Sequence, residues 1–212
     1  MDRKLAQILN TLKGVPEEKW DRYILRQDMF YRHYTEEMCG GIICRSRQTG
    51  KKKAGEILGG DTAPEYLIRK NGLEVRIAED EEFLMPDSVN FAEYHDGRIR
   101  ISKKLLTALD RNSEALRSVL GSFRPYDILF FHELYHYYEE TEEGLENAGI
   151  SYKIRLMPFI NKRISPESAG EIAAYEFTKQ VNNISFHPYI LGIAGLYVYE
   201  PEMAEEIVSD IT

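Results

Sequence analysis

Cysteine is scarce in this chain of 212 residues, which contains only Cys39 and Cys44. Two cysteines are too few for a disulfide framework, which argues against a small secreted scaffold. An early charge cluster near the N-terminus is not followed by a long apolar stretch, so neither a secretory signal nor a membrane span is predicted. These absences together predict a cytoplasmic protein without a membrane partner.

Excess positive charge is also missing, since 35 acidic residues outnumber 27 basic ones and the formal net charge is −8. A surface of this sign disfavours broad contact with phosphate backbones, so nucleic acid is not expected as a partner. Hydrophobic residues make up 43% of the chain and charged residues 29%, the balance of an ordinary globular protein. The length suffices for one well-buried core, or for one core with a helical appendage.

The first sixty residues have a helical pattern, with apolar residues recurring every three or four positions over residues 5–12. Residues 45–53 contain five basic side chains around a glycine, a composition that predicts a solvated loop. A Gly-Gly-Asp turn at residues 59–61 marks a boundary. We therefore predict an N-terminal helical extension of unknown role over residues 1–60 and a second domain over residues 61–212.

Beyond this boundary the pattern predicts a small antiparallel sheet. Residues 73–79 alternate apolar and polar side chains, as a half-buried strand does. Residues 89–94 and 97–101 form a second predicted strand pair, and Asp96-Gly97 between them is a hairpin turn signal. Ser102 is placed to cap the helix that follows.

His132, Glu133 and His136 form an H-E-x-x-H pattern in a predicted helix that begins near Pro125. Residues four apart in a helix lie on one face, so both imidazoles can bind one cation at about 2.0–2.1 Å each. Glu133 lies beside them and can take a proton from a water on that cation without filling a coordination site. The pattern predicts one Zn²⁺ per chain with Glu133 as general base, although these ligand types also accept other divalent metals.

A third ligand must come from elsewhere, because catalytic zinc usually has three protein ligands and the extended H-E-x-x-H-x-x-G-x-x-H motif is absent. Residues 165–181 predict a helix whose small side chains would let it approach the first helix closely. Its candidate ligands are Glu167, Glu171 and Glu176. Glu171 is favoured because it lies mid-helix beside the small residues, whereas Glu167 in the first turn complements the helix dipole.

The order of these elements resembles the ImmA/IrrE-type metallopeptidases, zincins whose third ligand is a glutamate. The matching pieces are Gly72-Leu-Glu-Val-Arg-Ile77, Gly97-Arg-Ile-Arg-Ile-Ser102, the H-E-x-x-H motif, and the Glu-x-x-Ala-x-x-Phe positions Glu171, Ala174 and Phe177. The resemblance spans about residues 62–181, and only H-E-x-x-H is specific by itself. It implies that His132, His136 and Glu171 bind the metal and that Glu133 is the general base. Tyr175 stands where that family often has Asn or Asp.

Peptide hydrolysis also needs a group that stabilises the tetrahedral oxyanion. His187 is the first candidate, since glutamate-ligand zincins often use a downstream histidine or tyrosine in this role. The acidic run over residues 139–143 is predicted to be a solvated helix end that could attract a basic substrate segment. The other candidates for the oxyanion role are Tyr152, Tyr189, Tyr197 and Tyr199.

The sequence thus predicts an α+β, zincin-like fold, in which a small antiparallel sheet packs against the H-E-x-x-H helix and the glutamate helix, with additional helices at both ends. We expect a zinc metalloprotease, a hydrolase that makes regulatory cleavages in an intracellular protein or peptide. Two alternatives stay open. One is a catalytically silent zincin-like regulator that binds a protein partner, and the other is a metal-dependent hydrolase of a non-peptide amide.

Overall fold

The computed structural model describes residues 3–82, 91–157 and 160–212, which contain ten α-helices and five strands. The helices are α1 (Arg3–Lys13), α2 (Glu17–Arg26), α3 (Glu36–Leu58), α4 (Pro64–Asn71), α5 (Lys103–Arg111), α6 (Ser113–Leu120), α7 (Pro125–Thr141), α8 (Glu167–Val181), α9 (Tyr189–Tyr199) and α10 (Pro201–Ile211). The strands are β1 (Glu74–Ala78), β2 (Ala92–His95), β3 (Arg98–Ser102), β4 (Tyr152–Met157) and β5 (Ile160–Ile164). The predicted α+β class is confirmed.

Strands β1, β3 and β2 form a mixed sheet in that order, so the prediction of an antiparallel sheet is only partly right. β2 and β3 are an antiparallel hairpin whose turn residues, Asp96 and Gly97, both have positive φ, as the Asp-Gly signal predicts. β3 lies between the other two strands, and β1 runs parallel to it. Alternation along a strand fixes its buried face but not its neighbour, so this arrangement was not readable from the pattern. Residues 89 and 90 of the predicted second strand lie outside the described residues.

The basic segment over residues 45–53 is part of α3, so the loop prediction is wrong. Thr35 caps this helix, its hydroxyl accepting a hydrogen bond from the Met38 amide at 3.2 Å. α3 packs along α8, and a β-carbon at Gly50 would lie 3.1 Å from the Phe177 nitrogen and overlap the Ala173 carbonyl oxygen. The glycine allows a close helix crossing, and this packing outweighs the weak local helix propensity of the segment.

Helices α7 and α8 lie side by side in the core and carry the motif residues predicted from sequence. α7 begins with Pro125 in its first turn and buries Phe130 and Leu134 completely. α8 packs against it with the ring of Phe177 near Phe131 and with Gly170 next to Glu139, and the α8 residues Ala173 and Ala174 are also completely buried. This packing brings polar groups of both helices together.

Helices from both sides of the predicted boundary at residue 60 share one hydrophobic core. Leu5, Trp20 and Ile42 belong to the same buried cluster as Phe177 and Leu191. α1 packs against α6 and α9, and α2 and α3 pack against α8. The division into an extension over residues 1–60 and a second domain over residues 61–212 stays a prediction. Among the described residues, no helix combines the length and apolar character needed to cross a membrane.

Candidate metal centre

Two imidazoles and one carboxylate converge where α7 passes α8. The Nε2 atoms of His132 and His136, one helical turn apart, are separated by 3.3 Å. One carboxylate oxygen of Glu171 lies 3.4 Å from Nε2 of His132, and the other lies 3.4 Å from Nε2 of His136. Together the three residues form a group of donors that could hold a metal ion.

The spacing of these donors is compatible with one cation of zinc size. At a zinc–nitrogen distance of about 2.05 Å, nitrogens 3.3 Å apart would subtend about 107° at the metal, close to the tetrahedral value. The two 3.4 Å contacts of Glu171 involve different oxygens, one facing each imidazole nitrogen, so the carboxylate presents an oxygen to either side of such an ion.

The other candidate ligands on α8 do not reach the histidines. Glu167 in the first turn is exposed to solvent. Glu176 is buried, but its carboxylate accepts a hydrogen bond from Gln180 at 2.8 Å and lies 3.7 Å from Nζ of Lys51. The geometry therefore assigns the carboxylate of the group to Glu171, whose side chain is 44% exposed because it faces a cavity.

The shifted pKa values of His136 and Glu171 show that this group of side chains favours a positive charge between them. Burial disfavours the protonated form of His136, but Glu171 and Glu139 outweigh this and hold its pKa well above the usual value. Burial also opposes ionisation of Glu171, but His136 and His132 hold the pKa of that carboxyl well below its usual range. An anionic carboxylate thus lies against a protonated His136, and a divalent cation could replace that proton.

Glu133 is the buried carboxyl group beside these donors. It is 5% exposed and borders the same cavity as His132 and His136. Burial raises its pKa, despite the opposing effect of the two histidines. A carboxylate with a raised pKa accepts a proton more readily than a solvated one, which suits proton transfer near neutral pH.

The acidic run over residues 139–143 was predicted to be a solvated helix end. For Glu139 this prediction is wrong. Its side chain is only 14% exposed, and Oε2 lies 2.9 Å from Nδ1 of His136. Its other oxygen accepts a hydrogen bond from the backbone amide of Asn147 at 2.7 Å. Glu142 is also engaged, in a 2.5 Å ion pair with Lys53, whereas Glu140 and Glu143 are exposed as predicted.

His187 lies behind the site in an aromatic stack. Its ring is 4% exposed and is parallel to Trp20, with centroids 4.8 Å apart. Tyr175 separates it from His132, with centroids 4.9 Å from His187 and 4.5 Å from His132. Burial, followed by the cations Lys179 and Arg47, lowers the pKa of His187 well below its usual value, so the ring is neutral. His187 does not contribute to the cavity wall, and its role as an oxyanion group stays a prediction.

A cavity of about 430 Å³ opens beside the donors and joins them to the sheet. Its wall includes Tyr175 and Tyr189, so of the tyrosines proposed for the oxyanion role only Tyr189 borders this space. Strand β2, at the edge of the mixed sheet, contributes three wall residues. The remaining wall is mainly apolar and consists of Phe91, Ile128, Leu129, Pro188 and Gly192.

Two residues with contacts at this site, Tyr175 and Glu139, were not assigned roles from the sequence. Both follow a predicted ligand at helical spacing, Tyr175 four residues after Glu171 and Glu139 three residues after His136. That spacing places Tyr175 on the ligand face of α8 and Glu139 on the ligand face of α7. It was the sequence signal that could have predicted both residues. Tyr175 meets His132 only because α8 packs against α7, whereas Glu139 contacts His136 within α7 itself.

No protein-family model matches the chain, and no curated protein or solved structure is significantly similar to it. The resemblance to ImmA/IrrE-type metallopeptidases therefore depends on the motif residues alone. Any functional conclusion must come from the chemistry of the site.

Proposed function

We propose that the chain is a zinc-dependent metallopeptidase, a hydrolase of peptide bonds. One observation supports this most directly: the donors of His132, His136 and Glu171 converge within reach of one cation beside a buried carboxyl group, Glu133, at the wall of a cavity. Two imidazoles and one carboxylate are a donor set typical of catalytic zinc, which keeps a further position for water. A zinc ion bound there would polarise the scissile carbonyl and acidify that water.

Glu133 acts as the general base in this proposal. Its carboxylate takes a proton from the attacking water and then passes it to the leaving amine. The burial that raises its pKa supports both steps, because the group must accept and release a proton within one turnover. It adjoins both histidines without belonging to the converging donors, which leaves it free for proton transfer.

Tyr175 is better placed than His187 to stabilise the developing oxyanion. Its ring packs against His132 and borders the cavity, whereas His187 is screened from the cavity by that same ring. Burial and the neighbouring Glu171 hold the pKa of Tyr175 well above its usual value, so its hydroxyl remains a donor. His187 then supports Tyr175 by packing, together with Trp20.

An extended peptide is the substrate shape that suits the cavity. β2 pairs only with β3 among the described residues, and its outer edge faces away from the rest of the mixed sheet. Ala92, Glu93 and Tyr94 of this strand border the cavity next to the donors. A substrate strand could pair with this edge and pass its scissile bond over the site, with an apolar side chain between Phe91 and Leu129.

The proposal is tested by zinc content and peptide cleavage measured on the same preparations. The wild type should bind about one zinc per chain and cleave members of a diverse peptide library. Glu133→Gln should keep the zinc and lose cleavage, whereas His136→Ala should lose both. Glu167→Ala is the matched control, because this exposed acid on α8 should change neither.

Each other outcome points to a different function. Zinc binding without cleavage of any peptide, together with partner capture that survives Glu133→Gln, would favour the silent regulator. Zinc-dependent hydrolysis of small amides alone would favour a non-peptide hydrolase. A wild type that binds no divalent metal would refute the proposal.

A further inference from the structure

We propose that Glu139 is a positioning residue that orients the imidazole of His136 toward the metal, an inference that rests on the proposed zinc site. Nδ1 of His136 lies 2.9 Å from Oε2 of Glu139, on the opposite side of the ring from the nitrogen that faces Glu171. With Nδ1–H donating to this carboxylate, the lone pair of Nε2 is left for the cation. Such a bond fixes the tautomer and ring orientation of a ligand and raises its basicity.

The Glu139 carboxylate is itself held in place at its second oxygen. Oε1 accepts a hydrogen bond from the Asn147 amide at 2.7 Å. Asn147 and Ala148 both have left-handed backbone angles, with φ of 46° and 54°. This conformation is unfavourable for residues with a side chain, and here it directs an amide at the carboxylate. The turn over residues 146–149 thus helps to determine where Glu139 points.

Gly170, the residue before the ligand Glu171, provides the space that Glu139 occupies. A β-carbon at this position would lie 2.9 Å from Oε2 of Glu139 and closer still to the other oxygen. Gly170 is itself buried in the N-terminal part of α8, where alanine would be the better helix former. Alanine there would displace the Glu139 carboxylate, the movable end of a flexible side chain, from His136 and Asn147.

The second histidine has a different environment, which makes the role of Glu139 specific to His136. Nδ1 of His132 is buried and has no hydrogen-bond partner among the described residues. Its ring is held by packing on Tyr175, at a centroid distance of 4.5 Å. Loss of the Glu139 carboxylate should therefore perturb one ligand of the metal and leave the other in place.

The test is the zinc affinity of the full chain, measured by competition with a chromogenic chelator. Glu139→Ala should weaken zinc binding about 10- to 100-fold, as removal of a hydrogen-bond partner of a metal ligand typically does. Gly170→Ala should give a loss of similar size, because it displaces the same carboxylate. Glu139→Gln should also weaken zinc binding, because its amide is uncharged and has one acceptor oxygen in place of two. The loss should be smaller than in Glu139→Ala, about three- to tenfold, because that oxygen can still accept a hydrogen bond from His136.

Glu140→Gln is the matched control for the removal of a negative charge near the metal. Glu140 follows Glu139 on α7 but is exposed and interacts with Tyr94. Zinc affinity should change less than about twofold in this variant, because solvent screens the charge. Circular dichroism of each variant will show whether its helices are intact. Should Glu139→Ala fail to fold, Glu139→Gln and Gly170→Ala still decide the question.

Nuclear magnetic resonance of the ring nitrogens separates positioning from general support of the fold. In the zinc-loaded wild type, the Nδ1 proton of His136 should be protected and shifted downfield. Glu139→Ala should remove this signal and leave the His132 ring signals unchanged. Equal zinc affinity in the wild type, Glu139→Ala and Gly170→Ala would overturn this inference and leave the zinc site intact. Failure of the wild type to bind zinc would overturn both.

Discussion

Removal of zinc should lower the stability of the fold by an amount that the free zinc concentration sets. The three proposed ligands come from two different helices, His132 and His136 from α7 and Glu171 from α8. These donors meet only when the two helices are packed, so the unfolded chain cannot present them together. An ion that binds only the folded state of the chain, and not the unfolded state, stabilises the folded state by mass action.

The size of the effect follows from this linkage. At free zinc 100 times the dissociation constant, the free energy of unfolding should rise by about 2.7 kcal/mol. For a chain of 150–250 residues, each kcal/mol raises the melting temperature by about 2–4 °C. Zinc should therefore raise Tm by about 5–11 °C relative to the protein in excess chelator.

Calorimetry with zinc and with chelator provides the assay. His136→Ala and Glu171→Ala should remove the zinc-dependent shift, whereas Glu133→Gln and the exposed Glu167→Ala should retain it. The reasoning is refuted if the wild type melts at one temperature under both conditions. A full shift in Glu171→Ala would mean that the third ligand is a different residue.

Three further predictions concern catalysis, pH and packing. Glu133→Gln should reduce peptide cleavage about 10²- to 10⁴-fold with zinc content unchanged; undiminished cleavage would remove Glu133 from the mechanism. Burial keeps the pKa of His187 in the folded chain well below 6.5, so below that pH the unfolded chain binds a proton that the folded chain does not. The free energy of unfolding should therefore fall as the pH drops through 6.5. In urea unfolding His187→Gln should lose less stability over that range, and equal losses would contradict the assignment. Phe177→Ala, at a completely buried ring, should cost about 3–5 kcal/mol. Met29→Ala, at a side chain that is 75% exposed, should cost less than about 0.5 kcal/mol in the same assay.

The features that the sequence predicted correctly depend on short-range chemistry. The Asp96-Gly97 turn forms because these residues tolerate positive φ, and the hydroxyl of Ser102 accepts the Leu105 amide at the start of α5 at 3.1 Å. The helical span that holds His132 and His136 has a proline start and an apolar flank within a few residues. Each of these signals acts between neighbours in the chain, so no knowledge of the remaining fold was needed.

The sequence by itself determined that His132, Glu133 and His136 would share one region of a helix, because four residues make about one turn. It narrowed the third ligand to three glutamates of α8 and favoured Glu171, but it could not show which of them faces α7. Only the tertiary structure decided that Glu171 meets the histidines, that Glu139 is enclosed by Gly170 and the turn at Asn147, and that His187 lies behind Tyr175. It also decided that residues 45–53 are helical, since α3 gains its partner only when α8 packs against Gly50. Those outcomes depend on contacts between residues far apart in the chain, which local patterns do not specify.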